Sequence, residues 1–241
     1  MIEAVLFDIG DTILHFETLK SRQFLEAGTH PGYDRLCELG YQPPAYEAYV
    51  RAIKRAFWRA YVWSRIVRRE VQIVEAFRRC HRRMGINLDD EQVSDLGQRC
   101  THAMRRFLTV DSDARDVITQ LHATGFKLGV VSNTPFPSFA IDDYLRCEGM
   151  LDYLSSVRVY SSDVRYMKPH RKIFRLALDR LGVAADRTLF VGDRVDKDVK
   201  GPSRMGMKTA LLARNGRIPH GRVRPDHVIR RLTEIPAILQ A

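Results

Sequence analysis

The chain opens on a short uninterrupted apolar run, Ala4-Val5-Leu6-Phe7, which ends in Asp8-Ile9-Gly10-Asp11-Thr12. A run without polar alternation predicts a strand buried on both faces, and the residues after it predict a polar turn. From about residue 17 to 108 the rhythm becomes helical. Tyr46, Tyr49, Val50, Ile53, Phe57 and Tyr61 recur every three to four positions. So do Val71, Val74, Phe77, His81 and Met84, and then Val93, Leu96, Cys100, Met104 and Phe107. Gly85 is placed to stop one helix, and Asp89 and Asp90 to start the next.

After residue 110 the pattern alternates. A helix over 113–124 ends at Gly125, and a strand over 126–131 closes in Ser132-Asn133-Thr134. A shorter strand is expected over 157–160 and a helix over 171–181 before Gly182. The run Thr188-Leu189-Phe190-Val191 ends in Gly192-Asp193, a short helix stops near Gly206, and 208–212 reads as a strand. Residues 225–229 add an edge strand before a final helix. Strands alternating with helices predict a parallel sheet covered on both faces. The expected architecture is α/β: a Rossmann-like, doubly wound core made of residues 1–16 and 109–241, with an α-helical cap of residues 17–108 inserted after the first strand.

Composition narrows the classes. The chain has 241 residues, 45% hydrophobic and 28% charged, with 15 Gly and 10 Pro, which excludes collagen-like and disordered chains. No apolar run approaches the roughly 18 residues of a membrane helix, and Ala4–Phe7 is too short for a signal peptide. The four cysteines, Cys37, Cys80, Cys100 and Cys147, form no C-x-x-C pair. Reduced thiols in a cytoplasmic protein are the expectation. The net charge of +10 is concentrated: residues 51–83 hold eleven Lys and Arg against Glu70 and Glu75. Nucleic acid, anionic surfaces and anionic substrates are the partners such charge admits, and a solvated arginine-rich helix face is the simpler account.

Three expected strands end in polar clusters: Asp8, Ser132-Asn133 and Asp193. In an open parallel sheet ligands bind at the carboxyl ends of the strands, so residues distant in sequence meet there. Lys168-Pro169 sits in a loop before the 171–181 helix, and Pro169 biases Lys168 toward extended backbone. Taken singly, each of these residues is an ordinary cap, turn former or surface lysine.

Together, Phe7-Asp8-Ile9-Gly10-Asp11-Thr12, Ser132-Asn133, Lys168-Pro169 and Gly192-Asp193-x-x-x-x-Asp198 resemble, in order and spacing, the four motifs of the haloacid dehalogenase superfamily. The resemblance covers nearly the whole chain and implies a hydrolase with an inserted cap that chooses the substrate. On its phosphatase-like branch it implies Asp8 as a nucleophile that forms an aspartyl-phosphate on a small phosphorylated metabolite. Mg²⁺ would be held by Asp8, the main-chain carbonyl of Gly10 and Asp193, with Asp198 orienting the metal-bound water. Thr12, Ser132, Asn133 and Lys168 would contact the phosphate, helped by amides of a helix after Pro135.

One position departs from the pattern. Phosphatases of this superfamily usually carry a second Asp two residues after the nucleophile, as general acid and base, and here Gly10 stands there. Asp11 is out of phase with Asp8 and is expected to point elsewhere. A missing general acid is worth about 10²–10⁴-fold in rate. Three readings stay open: a slow phosphatase, one suited to good leaving groups such as aryl or acyl phosphates, or a non-catalytic protein binding a phosphorylated ligand or nucleic acid through its basic cap. A 2-haloacid dehalogenase is a further alternative, since halide needs no proton. Those members typically carry Tyr at this position and need no metal, so Gly10 with Asp193 and Asp198 fits the phosphohydrolase side better.

On the 46–61 helix, Arg51, Arg55 and Arg59 lie opposite the Tyr46, Ile53 and Phe57 stripe, and Trp58 falls between Lys54 and Arg51. The expectation is that Trp58 packs on a neighbouring helix while the arginines are solvated.

Overall fold

The computed structural model describes residues 1–16, 22–67, 69–70, 73–155, 157–216 and 223–240. Residues 17–21 of the expected cap, Arg68 of its basic segment and Val71 of its second stripe lie outside the described residues.

In chain order the elements begin with β1 (Ala4–Phe7), β2 (Leu14–Phe16), α1 (Arg22–Glu38), α2 (Tyr46–Val67), α3 (Ile73–Arg83), α4 (Asp90–Met104) and β3 (Leu108–Val110). There follow α5 (Ala114–Ala123), β4 (Lys127–Ser132), α6 (Ser138–Cys147), β5 (Val157–Tyr160), the single turn α7 (Ser161–Val164) and α8 (Arg171–Leu181). The chain ends with β6 (Thr188–Gly192), a π-helical turn at Val195–Val199, α9 (Lys200–Ser203), β7 (Lys208–Leu212), β8 (His227–Ile229) and α10 (Ile235–Gln240).

Six strands form one parallel sheet in the order β5-β4-β1-β6-β7-β8. Residues of β1 and β6 are buried throughout, as continuous apolar runs in a two-sided parallel sheet must be. β1 is central, and the register pairs Phe7 with Val130 on one side and with Val191 on the other. Asp8, Ser132 and Asp193 therefore leave the sheet at the same edge. The chain returns from β5 across β1 to β6, so the strand order reverses beside β1, where a crevice opens at the carboxyl ends. One face of the sheet packs on α8 through Leu6, Val131, Val157, Ile173, Phe174, Ala177 and Phe190.

The chain divides into two compact units: residues 1–15, 110–134 and 142–241, and residues 16–109 with 135–141. The chain crosses between them within β2, within β3 and at either end of residues 135–141; β2 and β3 form a separate two-stranded sheet. This pair flanks the expected cap of residues 17–108 and has no counterpart among the strands expected from the sequence, because three-residue strands are too short to set up a readable alternation.

The second unit is a helical module. α1 packs on α4 and α2 on α3, around Leu36, Tyr49, Ile53, Cys80, Val93 and Leu96. α4 starts at a capping box: the Gln92 amide donates to Asp89 Oδ1 at 2.8 Å, and the Asp89 amide donates to Gln92 Oε1 at 3.2 Å. α3 stops at Gly85, whose φ of 77° a β-carbon would oppose. His81 is buried in this module; its Nδ1 lies 2.8 Å from the Phe77 carbonyl and its Nε2 3.2 Å from the Tyr49 hydroxyl. Burial lowers its pKa below the ordinary histidine value.

The expectation for Trp58 is corrected. It is 64% exposed, its ring lies 5.9 Å from that of Tyr61, and Trp63 and Ile66 are exposed beyond it. The helix continues past Tyr61 to Val67, and this outer end carries its apolar side chains into solvent. No described helix is long and apolar enough to cross a membrane.

Candidate active site

At the shared edge of β1, β4 and β6, Asp8 Oδ1 accepts from the Ile9 amide (2.7 Å) and the Ser132 hydroxyl (2.9 Å) and forms an ion pair with Lys168 Nζ at 2.7 Å. Two donors and one cation on the same oxygen fix the carboxylate rotamer and leave Oδ2 as the oxygen that can react. Thr12 is fully buried, and its Oγ1 has no hydrogen-bond partner among the described residues. A buried hydroxyl in that state has a donor available for a further acceptor.

Lys168 is the pivot of the cluster. Its side chain is fully buried, and Nζ lies 2.7 Å from both Asp8 Oδ1 and Asp198 Oδ1. The loop that carries it is clamped by Asn133: Nδ2 donates to the Lys168 carbonyl at 3.1 Å, and the Lys168 amide donates to Oδ1 at 2.7 Å. The side chain expected to donate to phosphate thus serves in this structure to hold the lysine loop. Nor does a helix start directly after Pro135. α6 begins at Ser138, and the Thr134 amide donates instead to Ser161 Oγ at 2.9 Å.

Asp198 is buried, and its second oxygen accepts from the Arg194 amide at 3.0 Å. Both oxygens are therefore engaged by protein groups. The tight π-helical turn that brings Asp198 back over β6 needs a glycine beneath it, since a β-carbon on Gly192 would meet the Asp198 side chain at 2.5 Å. Asp193 is half-buried, and one oxygen each of Asp8, Asp193 and Asp198 lie within 4.8 Å of one another.

Charge explains the electrostatics. Three carboxylates face one ammonium, so the ionised cluster carries two unbalanced negative charges, and nearby Arg194 is paired with Asp196 instead. Asp193, Asp198 and Lys168 hold their protons more tightly in such a cluster. Asp193 is pushed up to about 7, first by burial and then by Asp198, Asp8 and Asp11. Burial also raises Asp198, against the pull of Lys168. Burial works to lower Lys168, and the carboxylates of Asp198 and Asp8 outweigh it, leaving its pKa raised. Buried carboxylates with excess negative charge are the donor set of a hard divalent cation, so the residues fit Mg²⁺.

Gly10 is not among the described residues with positive φ; that conformation falls on Asp11, at 58°. The Asp11 side chain is 72% exposed and directed toward His15, 3.8 Å away. A network the sequence did not suggest supports this loop. Arg214 Nη2 donates to the Thr12 carbonyl at 3.1 Å while Nη1 pairs with buried Asp111 at 2.6 Å, and Asp111 also faces His15. Arg214 is 202 residues from Thr12, and no local pattern marks it.

The comparisons agree with this geometry. Residues 2–206 match the haloacid dehalogenase-like hydrolase family. Haloacid dehalogenase-like hydrolase domain-containing protein 3 of Danio rerio is 37% identical over 54% of this chain, which spans about half of that relative (53%). A glyceraldehyde 3-phosphate phosphatase of Methanopyrus kandleri is 26% identical over 89% of this chain and 85% of its own. An (S)-2-haloacid dehalogenase of Pseudomonas putida is 27% identical over 74% of this chain and 75% of its own. Among solved structures, a HAD phosphatase from Thermococcus onnurineus aligns with a TM-score of 0.63 at 29% identity, covering 99% of this chain and 98% of that one. The fold is also that of the HAD-hydrolase YfnB from Bacillus subtilis bound to magnesium, with a TM-score of 0.62 at 24% identity over 100% of this chain and 99% of that one.

Proposed function

The chain belongs to the haloacid dehalogenase-like hydrolase family, and from that premise we propose that it is a Mg²⁺-dependent phosphohydrolase acting on a small phosphorylated molecule through Asp8. The observation that carries this reading is the pair of unbalanced negative charges among Asp8, Asp193, Asp198 and Lys168. A dehalogenase needs a carboxylate nucleophile and no cation, and has no use for the unpaired charge that Asp193 adds.

Asp8 Oδ2 attacks phosphorus while Oδ1 stays tethered by Ile9, Ser132 and Lys168. The bond from phosphorus to the leaving oxygen breaks, and the electron pair departs with that oxygen. Water then cleaves the aspartyl-phosphate, releasing phosphate and restoring the carboxylate. Lys168 offsets charge beside the nucleophile, and the unpartnered Thr12 hydroxyl donates to a phosphate oxygen. Asp198 positions Lys168 and the Arg194 turn. When bound, Mg²⁺ would be held by Asp8, the Gly10 carbonyl and Asp193, and would draw charge from the phosphate oxygens. With Gly10 in place of an acid, the leaving oxygen takes its proton from solvent, which favours aryl and acyl phosphates over alkyl phosphates.

The test is turnover of p-nitrophenyl phosphate with Mg²⁺. Activity that is lost on adding EDTA and in Asp8→Asn supports the reading. Metal-independent halide release from a 2-haloacid, without phosphate release, makes the chain a dehalogenase instead.

A further inference from the structure

The second unit contains a pocket of about 380 Å³ that opens to solvent past Val74 and Asp90, lined entirely by residues of that unit among those described. An apolar cavity of about 150 Å³ already admits benzene, and this one is more than twice that size.

Its wall is neutral. Phe57, Phe77, Met104, Phe136 and Phe139 supply aromatic and thioether surface. The polar side chains on the wall bond to protein neighbours. Thr101 donates to the Gly97 carbonyl at 2.9 Å, Ser94 accepts from Gln98 at 3.3 Å, the Tyr49 hydroxyl meets His81 at 3.2 Å, and Arg78 pairs with Asp90 at 2.6 Å. A polar or charged ligand group entering here would lose its water and meet only groups already engaged. A flat apolar group loses nothing and gains ring-edge and sulfur contacts.

We propose that this cavity is a binding site for a neutral aryl group of one or two rings. The ligand is a free aryl molecule, and the proposal does not depend on the phosphohydrolase reading.

The test uses the full chain and 1-naphthol as probe, titrated by its fluorescence. A β-carbon built on Gly97, in α4 at the cavity wall, meets only Phe139 Cζ at 3.5 Å, so a larger side chain there enters open space. Wild type should bind 1-naphthol saturably and one to one. Gly97→Ala should weaken binding about threefold and Gly97→Leu at least about tenfold, with Tm in the absence of probe equal or higher, since glycine is the poorer helix former. No saturable binding by wild type overturns the proposal, as does unchanged affinity in a folded Gly97→Leu. If Gly97→Leu fails to fold, Gly97→Ala carries the same criterion. Because naphthol carries no phosphate, failure of the phosphohydrolase reading leaves this result standing, and failure here leaves that reading standing.

Discussion

At the carboxyl ends of β1, β4 and β6, three carboxylates share one lysine. In the helical unit the cavity is walled by phenylalanines and a methionine, and the polar side chains on that wall bond to protein neighbours. The first region keeps charge unbalanced in a place where burial makes it costly, and fits groups that bring opposite charge or accept a hydrogen bond. The second leaves nothing unbalanced and fits groups that bring neither. Reaction chemistry and recognition of an apolar group ask for these opposite environments, and the chain builds each in a separate unit with its own core.

The comparison is broken most severely at Asp8. Asp8→Asn keeps the shape of the side chain and removes the nucleophile, so turnover should fall by more than about a thousandfold. The Tm should stay near wild type, because Lys168 keeps Asp198 as a partner. Retained turnover above a few per cent removes Asp8 from the nucleophile role. Next is Lys168→Met, which leaves Asp8 and Asp198 buried without a cation. Breaking a buried pair in this way costs about 3–5 kcal/mol, to be read by urea denaturation. Part of the loss should return on adding Mg²⁺, and a cost below about 1 kcal/mol would show that the lysine does not balance the cluster.

Gly10→Asp sharpens the comparison within the polar site. Supplying an acid should raise kcat on alkyl phosphates about tenfold or more and barely change it on aryl phosphates. Gly10 is not among the described positive-φ positions, so backbone strain does not stand in the way. Equal gains on both substrate types, in a variant of unchanged Tm, would show that protonation is not what the site lacks.

The smallest effect is on stability against pH, where the two units should act with opposite signs. Asp193 binds a proton up to about pH 7 in the folded metal-free chain but only up to about 4 when unfolded. The native state therefore holds more protons in between, and this contribution is lost as pH rises from about 4 to 7. Buried His81 has a lowered pKa, so the unfolded state holds more protons just below about 6.5, and its contribution is lost as pH falls through that range. Tm measured from pH 5 to 8 in EDTA should show Asp193→Asn reducing the first slope, with the share due to Asp198 remaining, and His81→Gln removing the second. Parallel slopes in both variants would contradict this assignment.

Several features follow from the linear sequence alone. Ala4–Phe7 and Thr188–Val191 are uninterrupted apolar runs, and such runs are stable only as strands buried on both faces, which requires a parallel sheet with helices on both sides. The helical module between them follows from the three-to-four spacing of Tyr49, Ile53, Val93 and Leu96, which form its core. Asp8, Ser132 and Asp193 stand at strand ends, so the sheet register delivers them to one edge. Other features depend on the tertiary structure, because they are pairings across distances that no local period encodes. Asn133 clamps a loop 35 residues away, Ser132 bonds to Asp8 across 124, and Arg214 steadies Thr12 across 202. The exposure of Trp58, against the expectation that it packs on a neighbouring helix, has the same reason: periodicity places it on the outer side of α2 but does not say whether another helix covers that side. The cavity was invisible in the sequence as well. Phe57 and Phe77 obey the same helical spacing as core residues, and only the packing of α1 through α4 with residues 136–139 leaves a space beside them.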